Sequence, residues 1–175
     1  MSIRDKLESV EADITTLTLD AIVNAANEPL IMGGGVDGAI RRKAGPVIEG
    51  ELQKYGRCPT GTAIITRGYR LPAKCVIHTV APVFGGGGAR LEEKERQLAD
   101  CYRNSLKLAD EKNIASIAFP CIGTGIYAWP ADRAAEIAFR SVTSHLESGG
   151  KQTRVVFCCF SPTDKARYDA LIKQL

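Results

Sequence analysis

The feature that most constrains this chain is an alternation between short runs of β-branched and apolar residues and longer stretches of helical periodicity. Ala21–Val23, Ala63–Thr66, Cys75–Val80, Ser116–Phe119 and Val155–Phe160 read as strands, and an earlier strand is expected before Asp13. Helical patterns occupy Val36–Lys43, Val47–Tyr55, Leu91–Lys112, Asp132–Leu146 and Thr163–Leu175, several of them opening near Pro or Asp. This order predicts an α/β fold with helices on both faces of one sheet. No helical pattern separates Ala63–Thr66 from Cys75–Val80, so the sheet is expected to be mixed rather than wholly parallel.

With 175 residues the chain is long enough for one packed core and short for two, a usual domain being about 100 to 150 residues. A single domain spanning 1–175 is therefore expected. Hydrophobic residues at 45% and charged residues at 25% are ordinary globular values and exclude disordered and fibrous classes. Lys plus Arg exceeds Asp plus Glu by three (23 against 20), with no block of like charge, so charge indicates neither nucleic acid nor membrane as a partner. Cys58, Cys75, Cys101, Cys121, Cys158 and Cys159 form no CxxC pair, and several fall inside apolar runs, where a reduced cysteine packs as a small hydrophobe. Met1–Glu11 is mostly polar and does not read as a secretory leader. No apolar run approaches the roughly 18 residues of a membrane span. The expectation is a soluble, intracellular, most simply cytoplasmic protein.

Two glycine-rich segments carry chemistry. In Met32–Ile40, MGGGVDGAI, successive glycines let backbone N–H groups crowd around an anion, and a helix beginning near Val36 adds its positive end. The bland alternative is a glycine turn with no ligand. Gly33, Gly35 and Gly38 also match GxGxxG, which raises a nicotinamide-dependent oxidoreductase as an alternative. Against it, Ala25–Met32 intervenes between the strand and the glycines, whereas in a dinucleotide-binding unit the glycines follow the first strand directly. The second segment, Cys121–Trp129, repeats the strand, glycine turn and helix order, with Gly123, Thr124, Gly125 and Tyr127 ahead of Pro130. Two such loops at one sheet edge suit the two phosphates of a diphosphate. Gly85–Gly88 reads as a flexible surface connector.

The motifs ADIT (Ala12–Thr15), VNAAN (Val23–Asn27), GGGVDGAI (Gly33–Ile40) and GTGIY (Gly123–Tyr127), with GYRLPAKCVIHTV (Gly68–Val80) and AFPCI (Ala118–Ile122), resemble those of MacroD-type macrodomains, the ADP-ribose-binding hydrolases. The resemblance spans nearly the whole chain. It implies a three-layer α/β/α sandwich around a mixed, roughly six-stranded sheet. It also implies an enzyme that cleaves ester links to the distal ribose of ADP-ribose, in mono-ADP-ribosylated Asp or Glu side chains and in O-acetyl-ADP-ribose. Its alternative is a module that holds ADP-ribose without turning it over.

The same resemblance assigns residues. Asp13 is expected to accept the adenine amino hydrogen beside the Ile14 backbone, and Phe160 to stack on the adenine. Read without the family, Asp13 is equally a turn cap and Phe160 a core aromatic. Gly33, Gly34, Gly35 and Val36 form one phosphate loop, and Ile122, Gly123, Thr124, Gly125 and Ile126 the other. Tyr127 packs on the distal ribose. Asn27 is expected to bind the distal ribose hydroxyls and to share in catalysis with Asp37, which orients or deprotonates water. A helix-terminal acid serving the dipole is the plain alternative for Asp37. The chain has Ala12, Met32, Ala81 and Ala128 where the family often has Gly, and Gly123 where it often has Ser. His78 lies in an apolar strand and reads as a core histidine, and His145 sits late in a helix. No metal and no cofactor is expected, the partners being ADP-ribose, its esters and modified proteins, and the chain acting as a monomer.

Overall fold

The computed structural model describes residues 1–175. Six strands and five helices follow one another along the chain: β1 (Leu7–Glu11), β2 (Ala21–Ala25), α1 (Gly35–Ala44), α2 (Val47–Tyr55), β3 (Ala63–Arg67), β4 (Cys75–Thr79), α3 (Leu91–Glu111), β5 (Ser116–Phe119), α4 (Ala131–Glu147), β6 (Arg154–Cys159) and α5 (Pro162–Lys173). A short 3-10 turn at Arg4–Lys6 was not anticipated from the sequence, whereas the one at Ile14–Thr16 is capped by Asp13, as the plain reading of that residue allows. A single turn leaves no periodic signature to read.

The strands form one sheet in the order β1-β6-β5-β2-β4-β3. All neighbours are parallel except β3, which runs antiparallel to β4. The link Gly68–Lys74 explains the exception, because a parallel return needs a crossover of about a dozen residues or more. The expected mixed sheet is present.

Side chains alternate between two cores with the period of a strand. Ala21, Val23, Ile77, Ile117, Phe119, Val155 and Phe157 point to the face covered by α3, α4 and α5. Ile22, Val76, Ala118, Val156 and Cys158 point to the opposite face, covered by α1 and α2. This makes the three-layer α/β/α sandwich. All six cysteines are free thiols, four of them buried. No helix is long and apolar enough to cross a membrane.

The connection after β2 returns on the α1 face and the connection after β5 on the α4 face. Because β2 and β5 are neighbours, the two loops diverge from a shared point, the place where open α/β sheets collect ligands. Gly38 helps to bring the first loop in close: a β-carbon there would lie 2.7 Å from the Gly33 carbonyl oxygen. α5 opens on Ser161, whose hydroxyl accepts from the Asp164 amide ahead of Pro162. α1, in contrast, has no side-chain cap.

Candidate active site

A cavity of about 420 Å³ opens at the carboxyl ends of β2 and β5. Its walls are the two glycine loops, with Asn27, Gly33–Asp37, Gly123–Tyr127 and Phe160 among the lining residues. The amide groups of Gly34, Gly35 and Val36 in one loop, and of Gly123, Gly125, Ile126 and Tyr127 in the other, donate to no internal acceptor. Together with the uncapped positive end of α1 they form two clusters of free donors facing one space, the electrostatic arrangement that holds phosphate oxygens.

Asp37 stands in the first turn of α1 and is only 4% exposed, yet it reaches the cavity wall. Its Oδ1 accepts from Asn24 Nδ2 at 2.7 Å and from Arg41 Nε at 3.1 Å, and its Oδ2 accepts from the Gly33 amide at 2.7 Å. An ionised carboxylate offers about four lone-pair sites, so one remains, on the Gly33 side, for a donor in the cavity. Arg41 continues the chain of charges to Glu49 Oε2 at 2.8 Å and to the Leu30 carbonyl at 2.9 Å.

Asn27 lines the cavity, but its amide is occupied at both ends in this structure. Nδ2 donates to the Ile31 carbonyl at 2.8 Å and Oδ1 accepts from the Ile31 amide at 3.0 Å. This ring of hydrogen bonds shapes the segment that leads into the glycines. A β-carbon on Gly33 would sit 3.6 Å from Asp37 Oδ2 and 3.7 Å from Asn27 Nδ2, so Gly33 lies between the two side chains assigned to catalysis.

The two side chains expected at adenine divide. Phe160 is one residue beyond β6 rather than on it, and is 65% exposed at the cavity edge, which removes the reading as a core aromatic. Asp13 caps the turn Ile14–Thr16, accepting from the Thr15 amide at 2.9 Å and the Thr15 hydroxyl at 2.7 Å. Those hydrogen bonds hold its carboxyl below the usual range. Neither Asp13 nor Ile14 lines the cavity, and the Ile14 side chain is buried in the α1 and α2 core. They flank it instead: the Ala12 amide donates to the Cys159 carbonyl at 3.1 Å, so Asp13 and Phe160 extend from adjacent strand ends.

Ile122 is a correction. It is 1% exposed, packs in the α3, α4 and α5 core and does not line the cavity. The second loop turns outward only at Gly123, whose φ is +87°. A β-carbon there would lie 2.7 Å from Trp129 Cδ1, and Trp129 is fixed by its Nε1 bond to the Pro82 carbonyl at 2.8 Å. Glycine is thus required at this place by both backbone and neighbour. Of the other departures, Ala81 lines the cavity and Met32 is half exposed.

Asn24, Arg41 and Glu49 escaped the sequence reading as site residues. Arg41 left a signal, since Asp37 and Arg41 are four apart on one helix. Asn24 left a weaker one, a lone amide inside an apolar strand. No three His, Cys, Asp or Glu side chains come together in a way that could hold a metal ion.

The family model described as Macro domain matches residues 23–138. An O-acetyl-ADP-ribose deacetylase of Klebsiella pneumoniae is 51% identical over 169 residues, covering 94% of this chain and 95% of that one. The human ADP-ribose glycohydrolase MACROD2 is 48% identical over 166 residues, covering 93% of this chain and 38% of that protein. Among solved structures, the Oceanobacillus iheyensis macrodomain with ADP superposes with a TM-score of 0.90 at 39% identity, covering 100% of this chain and 96% of that one.

Proposed function

Since the chain belongs to the macro domain family, we propose that it binds ADP-ribose in the cavity between its two glycine loops and hydrolyses ester links to the distal ribose. The observation that carries this is the pairing of two facing clusters of free backbone amides with a buried carboxylate, Asp37, at the mouth of one of them. Backbone donors at a helix start suit a diphosphate, and the two loops are spaced across one cavity for its two phosphates.

In this reading Asp13 and Phe160 take the adenine, the loops take the diphosphate, and Tyr127 and Asn27 meet the distal ribose. Asp37 uses its remaining lone pair to accept a hydrogen from water, orienting it toward the ester. Water is consumed, and free ADP-ribose and a carboxylic acid are released. The substrates are O-acetyl-ADP-ribose and proteins carrying mono-ADP-ribose on Asp or Glu. Two relatives support this: one is named for the deacetylase activity and the other for glycohydrolase activity. The six free thiols support a reducing, intracellular setting.

The test measures calorimetric affinity for ADP-ribose and its release from a glutamate-modified protein, for wild type, Asp37→Ala and Asp37→Asn. Loss of the carboxylate lowers turnover by at least ~10²-fold, the lower end for a positioned acid-base group, and changes affinity far less. A wild-type protein that binds tightly but releases nothing is a reader of ADP-ribose.

A further inference from the structure

On the α1 face of the sheet a line of buried polar groups runs inward from Asp37. Asn24 on β2 and His78 on β4 are direct partners in the parallel register, and both are 0% exposed. Asn24 Nδ2 lies 2.7 Å from Asp37 Oδ1 and 3.0 Å from His78 Nδ1, and His78 Nε2 lies 2.9 Å from the Thr66 hydroxyl on β3. Asn24 Oδ1 has no partner at all.

The proton positions follow from donor and acceptor counting. Asp37 is an acceptor, so the amide nitrogen of Asn24 faces it and the amide cannot be turned over. That nitrogen has two hydrogens and no lone pair to offer, so the second hydrogen goes to His78 Nδ1, which must be unprotonated. The imidazole proton then sits on Nε2 and points at Thr66. Burial, with Arg41 nearby, lowers the His78 pKa to about 3, so the ring stays neutral at working pH.

Burying an amide with an orphaned carbonyl is unfavourable, because the oxygen gives up its hydrogen bonds to water and gains none in the fold. An apolar residue at position 24 avoids that cost and loses the donor to Asp37. We propose that His78 is a positioning residue for catalysis: through its Nδ1 lone pair it fixes the Asn24 amide, and the Asn24 amide fixes the Asp37 carboxylate in the orientation that leaves one lone pair for water. This rests on the reading of Asp37 above. It assigns His78 a role beyond filling the core, although it touches neither cavity nor ligand.

Three substitutions separate positioning from packing. His78→Asn keeps an acceptor where Nδ1 was, His78→Gln keeps a donor where Nε2 was, and His78→Leu keeps neither. Turnover of His78→Asn is expected within about 5-fold of wild type. His78→Gln and His78→Leu are expected to lose about 10- to 10²-fold in kcat, the scale on which a small misplacement acts. The Kd for ADP-ribose is expected to stay within about 2-fold in all three, and the order of kcat to follow the retained acceptor rather than Tm. In parallel, ¹⁵N NMR of the wild-type imidazole is expected to show the Nε2–H tautomer, unchanged between about pH 5 and 8. That measurement needs no variant to fold.

The Nδ1–H tautomer, or His78→Gln turning over like wild type while Asp37→Ala does not, overturns the proposal. Wild-type turnover by Asp37→Ala overturns the reading of the site itself, and the role of His78 falls with it.

Discussion

Arg41 and Asp37 form an ion pair at 3.1 Å whose side chains are 1% and 5% exposed, one turn apart on α1. Such a pair adds little net stability over an apolar substitute, but removing one partner strands the other charge in the interior. Arg41→Met should therefore lower unfolding stability by about 3 to 5 kcal/mol, read from denaturant midpoints. Turnover should fall too, because Asp37 Oδ1 loses one of its two donors. A variant with wild-type midpoint and turnover would show that Arg41 does not hold the carboxylate.

Asp13 and Phe160 test the adenine end. Asp13→Ala should weaken ADP-ribose binding by about 1.5 to 3 kcal/mol, the worth of a hydrogen bond to a charged acceptor. Phe160→Ala should cost about 1 to 3 kcal/mol of stacking. Phe160 is largely exposed, so its removal should leave Tm unchanged. Unchanged dissociation constants in both folded variants would place adenine elsewhere.

Gly125 and Gly123 lie two residues apart and should behave differently. Nothing lies within 4 Å of a β-carbon built on Gly125, so Gly125→Val should fold normally while its side chain bars the diphosphate from the backbone amides. Binding should be lost by calorimetry with no change in Tm. Gly123→Ser should instead destabilise by at least the ~1 to 3 kcal/mol of a strained backbone, because it meets both a φ of +87° and the Trp129 ring. Equal Tm values for the two variants would contradict this.

His78 predicts a pH dependence of stability. In the unfolded chain it takes up a proton near pH 6.5, whereas in the folded protein it does so only at about 3. Between these values the unfolded state holds the extra proton, so stability is lost as pH falls, by up to about 1.4 kcal/mol per pH unit from this group. Denaturant midpoints from pH 7 to 4 should fall more steeply for wild type than for His78→Asn, which has no such group. Parallel curves would mean that His78 titrates normally in the folded protein.

Much of this was legible in the chain itself. Alternating patterns established the order of strands and helices, and the missing helix before Cys75 foretold the mixed sheet, because periodicity and loop length are local properties. The glycines of Gly33–Val36 and Gly123–Ile126 could be read for the same reason: a backbone that must present its amides to an anion leaves no room for side chains, and that shows in composition. Strand ends were less certain, and Phe160 was placed on β6 when it follows it, since the last residue of a strand is decided by its neighbours. Ile122 was assigned to the site from its position in a motif, and only packing shows it turned into the core. What the tertiary structure alone decided is the set of contacts between distant segments. Asn24, Asp37, Arg41, Glu49, Thr66 and His78 come from five elements, β2, α1, α2, β3 and β4, and beyond the Asp37 and Arg41 pair on one helix nothing local in any of them specifies the others. Their meeting depends on the register of β2 against β4 and on where α1 crosses that face, and the donor and acceptor counting that fixes the orientation of Asp37 exists only once those segments are packed together.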